Sequence, residues 1–391
     1  MPIDRESYNS HRAYLYRLIL FCFSIALLER EKTSLKVPVD NRQRCSIIFL
    51  YKSMNKVDIN SILIRKQADF VILNSCSVNS SGLYNGKAGM ALALFETANI
   101  LDDNYIEEQA LQTLQEALLT QNKDTSFESG LSGIGYVLLC LIRNELIDAD
   151  FDELFADKLA LIHKYATKLC ADAAKGNLQI DGMKIILFMD LHHLLTGNNQ
   201  SLELRNRLLN AYGEIFKKLL SEFRTESEPL SQNCFLMFVE NYLRIVNECN
   251  LTDIPTDVID YYITGYESGR WMSRFPMAAS LYGLAQKAGN TYWEAYALQQ
   301  AGTALRVLDV RKETLRNMTD ILSYEIPMES YREKSEEIRK FLFSKDEQVW
   351  MRNLSCAIPR KNMAAGYMAG MARLLLCTVN EYTGKERIKM W

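Results

Sequence analysis

One unit recurs along this chain and restricts its fold more than any other feature. It reads GLYNGKAGMALALFETA at 82–98, GLSGIGYVLLCLIRN at 130–144 and AAGYMAGMARLLLCTV at 364–379. Each copy has glycines three or four apart, then a small residue, then an apolar helix. Weaker copies lie between: DGMKIILFMDLHHLL at 181–195, QNCFLMFVENYLRIV at 232–246 and PMAASLYGLAQKAG at 276–289. The spacing is roughly 44–52 residues until a longer gap before the last unit, and that interval fits two helices and two turns.

Ala88, Leu92 and Phe95 share one face of the first of these helices, and Met90, Ala91, Ala93 and Leu94 complete its circle. A helix that is apolar all round belongs in an interior. The more amphipathic stretches between the units, such as 151–173, suit the outside. Inner helices ringed by outer ones predict an all-α fold, an α/α toroid of six or seven hairpins. The Gly-rich turns then sit at the inner-helix N-termini and converge on a central cavity. Glycines there are expected to permit unusual φ and to leave helix N–H groups uncovered at the positive end of the dipole. The plainer alternative is an irregular helical array that uses glycine for close packing.

The rest of the chain agrees with helices. Seven Pro and 18 Gly in 391 residues are few for an all-β domain. Periodicity predicts further helices over 105–120, 151–173, 202–223, 233–247, 293–308 and 328–343. The clearest strand signal, 69–73 (DFVIL), could equally belong to a helix. A net charge of -3 gives no general attraction to nucleic acid. The most apolar stretch, 13–28, contains Arg17 and is short for a membrane span, so a buried helix, no membrane span and a cytoplasmic location are expected. The nine Cys include no CxxC pair. Cys140 and Cys234 lie in apolar runs and read as core thiols, whereas Cys356 is the least buried by context. The domain reading is one toroid over 1–391. Within it, 1–80 forms an N-terminal helical part. Residues 290–362 form an inserted hairpin or lid, with Trp350 and Arg352 either as contact residues or, for Trp350, as core.

The two best copies carry a family resemblance. GLYNGKAGMALALF is similar to the first Gly-rich repeat of the lanthionine synthetase C-like (LanC-like) family. GLSGIGYVLLCLIRNELIDADFDELF is similar to its second, including the acidic turn after the helix. The resemblance extends from about residue 80 through most of the chain. It implies the toroid, and a role in maturing ribosomally made peptides, in which cysteine thiols add to dehydrated Ser or Thr. The family's cyclases hold one zinc through a Cys in a Trp-Cys motif and an adjacent Cys-His before a Gly. Here those positions read Trp271-Met272 and Ala364-Ala365-Gly366. The resemblance therefore implies a protein without the zinc ligands, binding no metal or other cofactor. Its partner would be a peptide substrate, a precursor peptide or a maturation enzyme.

Side chains at the Gly-rich turns are the candidate cavity residues: Asn85, Lys87, Ser129, Ser132, Arg274, Arg360, Lys361 and Asn362. Glu128 with Asp181 is the one carboxylate pair that a metal-free hydrolase on this fold could use. A non-catalytic helical scaffold is the third reading. Asp148, Asp150, Asp152 and Glu153 read as a solvated turn that starts the next helix. His192 and His193 point about 100° apart on a helix and do not converge on one metal.

Overall fold

The computed structural model describes residues 59–121, 123–175, 179–222, 229–249, 251, 254–267, 274–344, 346–358 and 365–383. Residues from Ile59 onward form one compact unit. It is all-helical, with no strand among the described residues. The helices are α1 (Ile59–Ser75), α2 (Lys87–Leu101), α3 (Asn104–Leu118), α4 (Leu131–Arg143), α5 (Phe151–Ala174), α6 (Ile180–Met183), α7 (Ile185–Thr196), α8 (Asn199–Glu222), α9 (Pro229–Glu248), α10 (Thr256–Glu267), α11 (Phe275–Ala288), α12 (Thr291–Val307), α13 (Leu315–Leu322), α14 (Glu329–Leu342), α15 (Glu347–Ala357) and α16 (Met371–Thr383). The DFVIL segment lies inside α1, so its strand signal is overruled. Strand and buried helix cannot be told apart over five apolar residues.

The helices fall into two kinds. Residues 88–98 of α2, 131–141 of α4, 185–192 of α7 and 371–379 of α16 are buried without a break. The partner helices bury a single stripe: α3 buries Ile106, Ala110, Thr113, Leu114 and Ala117 but exposes Glu107, Glu108, Leu111, Gln112, Gln115 and Glu116. Helix α5 likewise buries Phe151, Phe155, Leu159, Ile162 and Ala166. Among the described residues, α2 packs on α4, α4 on α7, α7 on α9, α9 on α11, α11 on α13, α13 on α16, and α16 back on α2. Outer partners follow in sequence, α3 on α2, α5 on α4, α8 on α7 and α12 on α11, while α1 packs on α2 and α16.

The Gly-rich turns work differently from the expectation. None of their glycines has a positive φ, and among the described residues positive φ at glycine is confined to Gly197 and Gly289 after α7 and α11. What the turns need is close approach. A Cβ on Gly89 would sit 2.0 Å from Leu83 O, and one on Gly133 would sit 2.0 Å from Phe127 O. Nor are the helix N–H groups uncovered. Lys87 N donates to Ser80 O, Leu131 N to Asp124 O and Ala372 N to Ala365 O, each seven residues back. The turn thus folds over the start of its own helix and caps it with backbone carbonyls, which satisfies donors that would otherwise be orphaned. The turns are also tied to one another: Tyr84 N donates to Glu128 O, and Met368 N to Tyr84 O.

Residues 290–362 supply α12, a 3₁₀ turn at Val310–Lys312, α13, α14 and α15. Trp350 on α15 is buried in the hydrophobic core and Arg352 is exposed, so Trp350 is not an exposed anchor. The long gap before the last unit is filled by α13, a short helix too polar to read as a copy of the repeat. No helix among the described residues is long and apolar enough to cross a membrane. Residues 13–28 lie outside the described residues.

Candidate functional site

Where the starts of α2, α4, α7, α11, α13 and α16 come together, the apolar interior gives way to a connected set of charges. Lys184, immediately before α7, pairs with Glu128 of the turn before α4. Its ammonium lies over the face of the Tyr84 ring, 4.8 Å from the centroid. Arg316, in the first turn of α13, covers the same ring with its guanidinium carbon 6.0 Å from the centroid. One turn on, Asp320 is the hub. It accepts from Arg373 of α16 at 2.5 Å and from Arg244 of α9 at 3.2 Å, and Arg316 Nε lies 3.8 Å from its other oxygen. Arg373 Nε also donates to Thr319 Oγ1 at 2.6 Å. Arg274, before α11, faces Glu240 of α9 at 3.6 Å. Ser280 and Tyr324 close this side, with hydroxyls 3.3 Å apart.

The cluster has a floor and a rim. Arg373 is fully buried, and Asp320, Lys184 and Arg244 are nearly so, whereas Arg316, Glu128 and Arg274 reach solvent. Burial alone would raise the Asp320 carboxyl, but Arg244, Arg373 and Arg316 outweigh it and hold it below the usual range. Burial would lower Lys184, but Tyr84 and Glu128 beside it keep its ammonium above the ordinary lysine value. Burial, then the Asp320 charge, push Glu240 upward. Burial also pushes Arg373 down, only partly offset by Asp320. Arg316 and Arg244 beside it add to that downward push. At the centre of the cluster, the Tyr84 hydroxyl is buried without a hydrogen-bond partner.

The residues singled out from sequence divide. Glu128 and Arg274 belong to this cluster. Lys87 pairs instead with Glu116 on α3. Ser129 donates to Asp124 within its own turn, and Ser132 donates its buried hydroxyl to Thr125 O at 2.5 Å. Asn85 is half-buried, and its Oδ1 has no hydrogen-bond partner. The side chain of Asp181, and Met272, Arg360, Lys361, Asn362 and Ala364, lie outside the described residues. Tyr84, Lys184, Glu240, Arg244, Arg316, Asp320 and Arg373 were missed. A usable signal was present for two of them. Arg244 and Arg373 interrupt the apolar runs YLRIV and MARLLLC, and Arg373 stands in the last unit where Gly89 and Gly133 stand in the first two.

A second polar cluster lies near the C-terminal end of α7. The Ser201 hydroxyl is 2.8 Å from His192 Nδ1 and 2.9 Å from His163 Nε2, and His192 Nε2 lies 3.7 Å from Asp152. Phe188 stacks on the His192 ring. Burial lowers both imidazoles below the ordinary histidine value, in His192 against the pull of Asp152. Ser201 itself is fully buried, so this is not an exposed nucleophile. His193 turns aside to Asn198 O. Asp150 caps α5 by accepting from Glu153 N, as the acidic turn suggested. Among the thiols, Cys140, Cys170, Cys249 and Cys377 are buried. Cys356 is exposed, and so is Cys234, whose apolar flanks mark one face of α9 while the thiol takes the other.

Among the described residues no three His, Cys, Asp or Glu are placed to hold a metal ion. No known protein-family model matches the chain, and no curated protein matches it.

Proposed function

We propose that this chain is a zinc-less LanC-like α/α toroid that binds a peptide in a peptide-maturation system, cytoplasmic in location. What supports the reading most is one observation. Seven helices, four of them buried on every side, contact one another in a cycle, and charged side chains gather at the Gly-rich starts of several of them. A binding site at the meeting point of inner-helix N-termini is what such a toroid offers.

The family's zinc does not fit the residues here. Ala365 stands buried with only a methyl group where that family has a ligand, and alanine donates nothing to a metal. No step is therefore assigned to zinc, and thiol addition is not the proposed activity. A carboxylate-based hydrolase is less well supported, because Glu128 is engaged by Lys184.

The test uses the full chain and a precursor peptide carrying dehydrated Ser or Thr and a free Cys. Calorimetry should detect binding, mass spectrometry and thiol titration should detect no ring closure, and elemental analysis should find no stoichiometric zinc. One tightly held zinc per chain, or consumption of the peptide thiol, would overturn the zinc-less reading. Absence of binding to any precursor peptide encoded beside the gene would overturn the peptide reading.

A further inference from the structure

We infer that the cleft enclosed by α8, α9 and the start of α10 is a binding site for a small uncharged molecule, an aliphatic body whose carbonyl group accepts from the Tyr242 hydroxyl. None of the residues lining this cleft belongs to the charge cluster, so the inference goes beyond the peptide reading and does not rest on it.

Three observations carry it. The first is the cleft itself. It holds about 440 Å³, a size usual for small-ligand sites. Leu209, Leu251, Ile254 and Val258 give it an aliphatic wall, and the largely exposed Glu214 and Asp257 mark where it opens. The second is the Tyr242 hydroxyl. Tyr242 lines the cleft yet is 1% exposed, and its ring stacks on Phe216 with centroids 5.0 Å apart, which fixes its direction. The hydroxyl makes no hydrogen bond among the described residues. Burial, then the charges of Asp257 and Glu214, push its pKa above the ordinary tyrosine value, so it stays a donor. Gly213 is what leaves it open: a Cβ there would stand 3.0 Å from the hydroxyl oxygen and 3.5 Å from Val258. Glycine inside a helix costs stability relative to alanine, and here its effect is to keep the hydroxyl uncovered. The third is the pairing of the charges around it. Lys217 is held by both Asp257 and Glu214, and Arg205 by Asp190 and Asn206. Cations and carboxylates thus line the same cleft already matched. An entering ion of either sign would lose its hydration, meet a like charge and find its opposite engaged. A lone donor in such a place suits a neutral acceptor, and a carbonyl oxygen is one.

The experiment is an NMR-detected titration of the full chain with N-acetyl-leucinamide, in parallel with its charged relatives N-acetyl-leucine and leucinamide. The neutral compound should bind one per chain, and each charged relative more weakly. Tyr242→Phe keeps the stacked ring and removes only the hydroxyl. It should weaken binding about fivefold, the scale of one neutral hydrogen bond. Gly213→Ala sets a methyl group against the hydroxyl and should weaken binding at least as much. Lys340→Gln, in an exposed pair with Glu336, should leave it unchanged. A blocked tripeptide with leucine at its centre that binds tighter than N-acetyl-leucinamide would assign the cleft to a residue of a peptide chain. A tripeptide that binds no tighter would assign it to a free small molecule. No saturable binding of either compound would overturn the proposal. So would a charged relative that binds as tightly as N-acetyl-leucinamide, or binding that Tyr242→Phe and Gly213→Ala both leave intact in folded protein. A precursor peptide binds or fails to bind at the Gly-rich helix starts whatever these compounds do here, so the two readings fail separately.

Discussion

The molecule buries two polar clusters, and they solve the same problem in opposite ways. Around Asp320 the groups are ionic, and the cost of burying charge is met by several partners at once. Around Ser201 the groups are neutral: one hydroxyl serves two imidazoles, and burial keeps both uncharged. The ionic cluster grades outward to solvent at Arg316, Glu128 and Arg274. The histidine cluster is closed by Phe151 and Phe188 and nearly balanced. An enclosed network of neutral groups is insulated from solvent, whereas an ionic one with an open rim meets it.

The largest expected effect comes from removing the hub. Asp320→Ala leaves Arg373 fully buried and Arg244 nearly so without their shared carboxylate. Breaking a buried pair on one side costs about 3–5 kcal/mol, and urea unfolding of the variant should register it. Adding Arg373→Met should recover part of the loss, because it removes the stranded charge. If the double variant is no more stable than Asp320→Ala, Arg373 is not the group that Asp320 compensates. Next is Ser201→Ala. It strips the shared partner from two imidazoles and should cost about 1–3 kcal/mol, the penalty of unsatisfied buried polar groups.

The two clusters should also separate by pH. His163 and His192 have folded values below the unfolded value of about 6.5, so the unfolded chain binds more protons there. Their contribution is complete above about pH 6.5 and is lost as pH falls below it. Asp320 has a depressed carboxyl, so its contribution persists until the pH falls below the ordinary aspartate value of about 3.9. Glu240 runs the other way, since its raised value favours the folded state as it takes up a proton. Unfolding free energy measured between pH 7 and 5 should therefore decline, and His192→Gln should make the decline shallower. An unchanged slope in that variant would remove His192 from the account.

The sequence made the buried helices legible because their apolar residues leave no polar face, as 88–98 does, and it made the outer helices legible by their stripe. It misled about the glycines. A run such as GLYNG is consistent with positive φ and with close packing, and only the position of Leu83 O against Gly89 decides. Glu128 and Arg274 stood out as polar residues because they sit in the turns themselves, but nothing in their neighbourhood in sequence pointed to Lys184 and Glu240 as the groups they face. Asp320 and Arg316 escaped because α13 carries no repeat signature, and Arg244 because its partner Asp320 lies on another helix. Buried ion pairs join residues far apart in the chain, here 76 residues for Arg244 and Asp320, and spacing rules see only neighbours.

The smallest expected effect belongs to a residue that the turn position alone recommended as a ligand contact. Lys87 opens α2, and its ammonium meets Glu116 across to α3, where the glutamate is largely solvated. An exposed pair of this kind contributes about 0–1 kcal/mol. A cation at a helix start also opposes the dipole, so replacing it removes an unfavourable interaction along with the favourable one. Lys87→Gln should therefore move stability by less than about 1 kcal/mol, with less dependence on salt than the parent shows. A loss well above that in Lys87→Gln would make the Lys87–Glu116 pair part of the buried packing and erase the division between surface pair and ionic cluster.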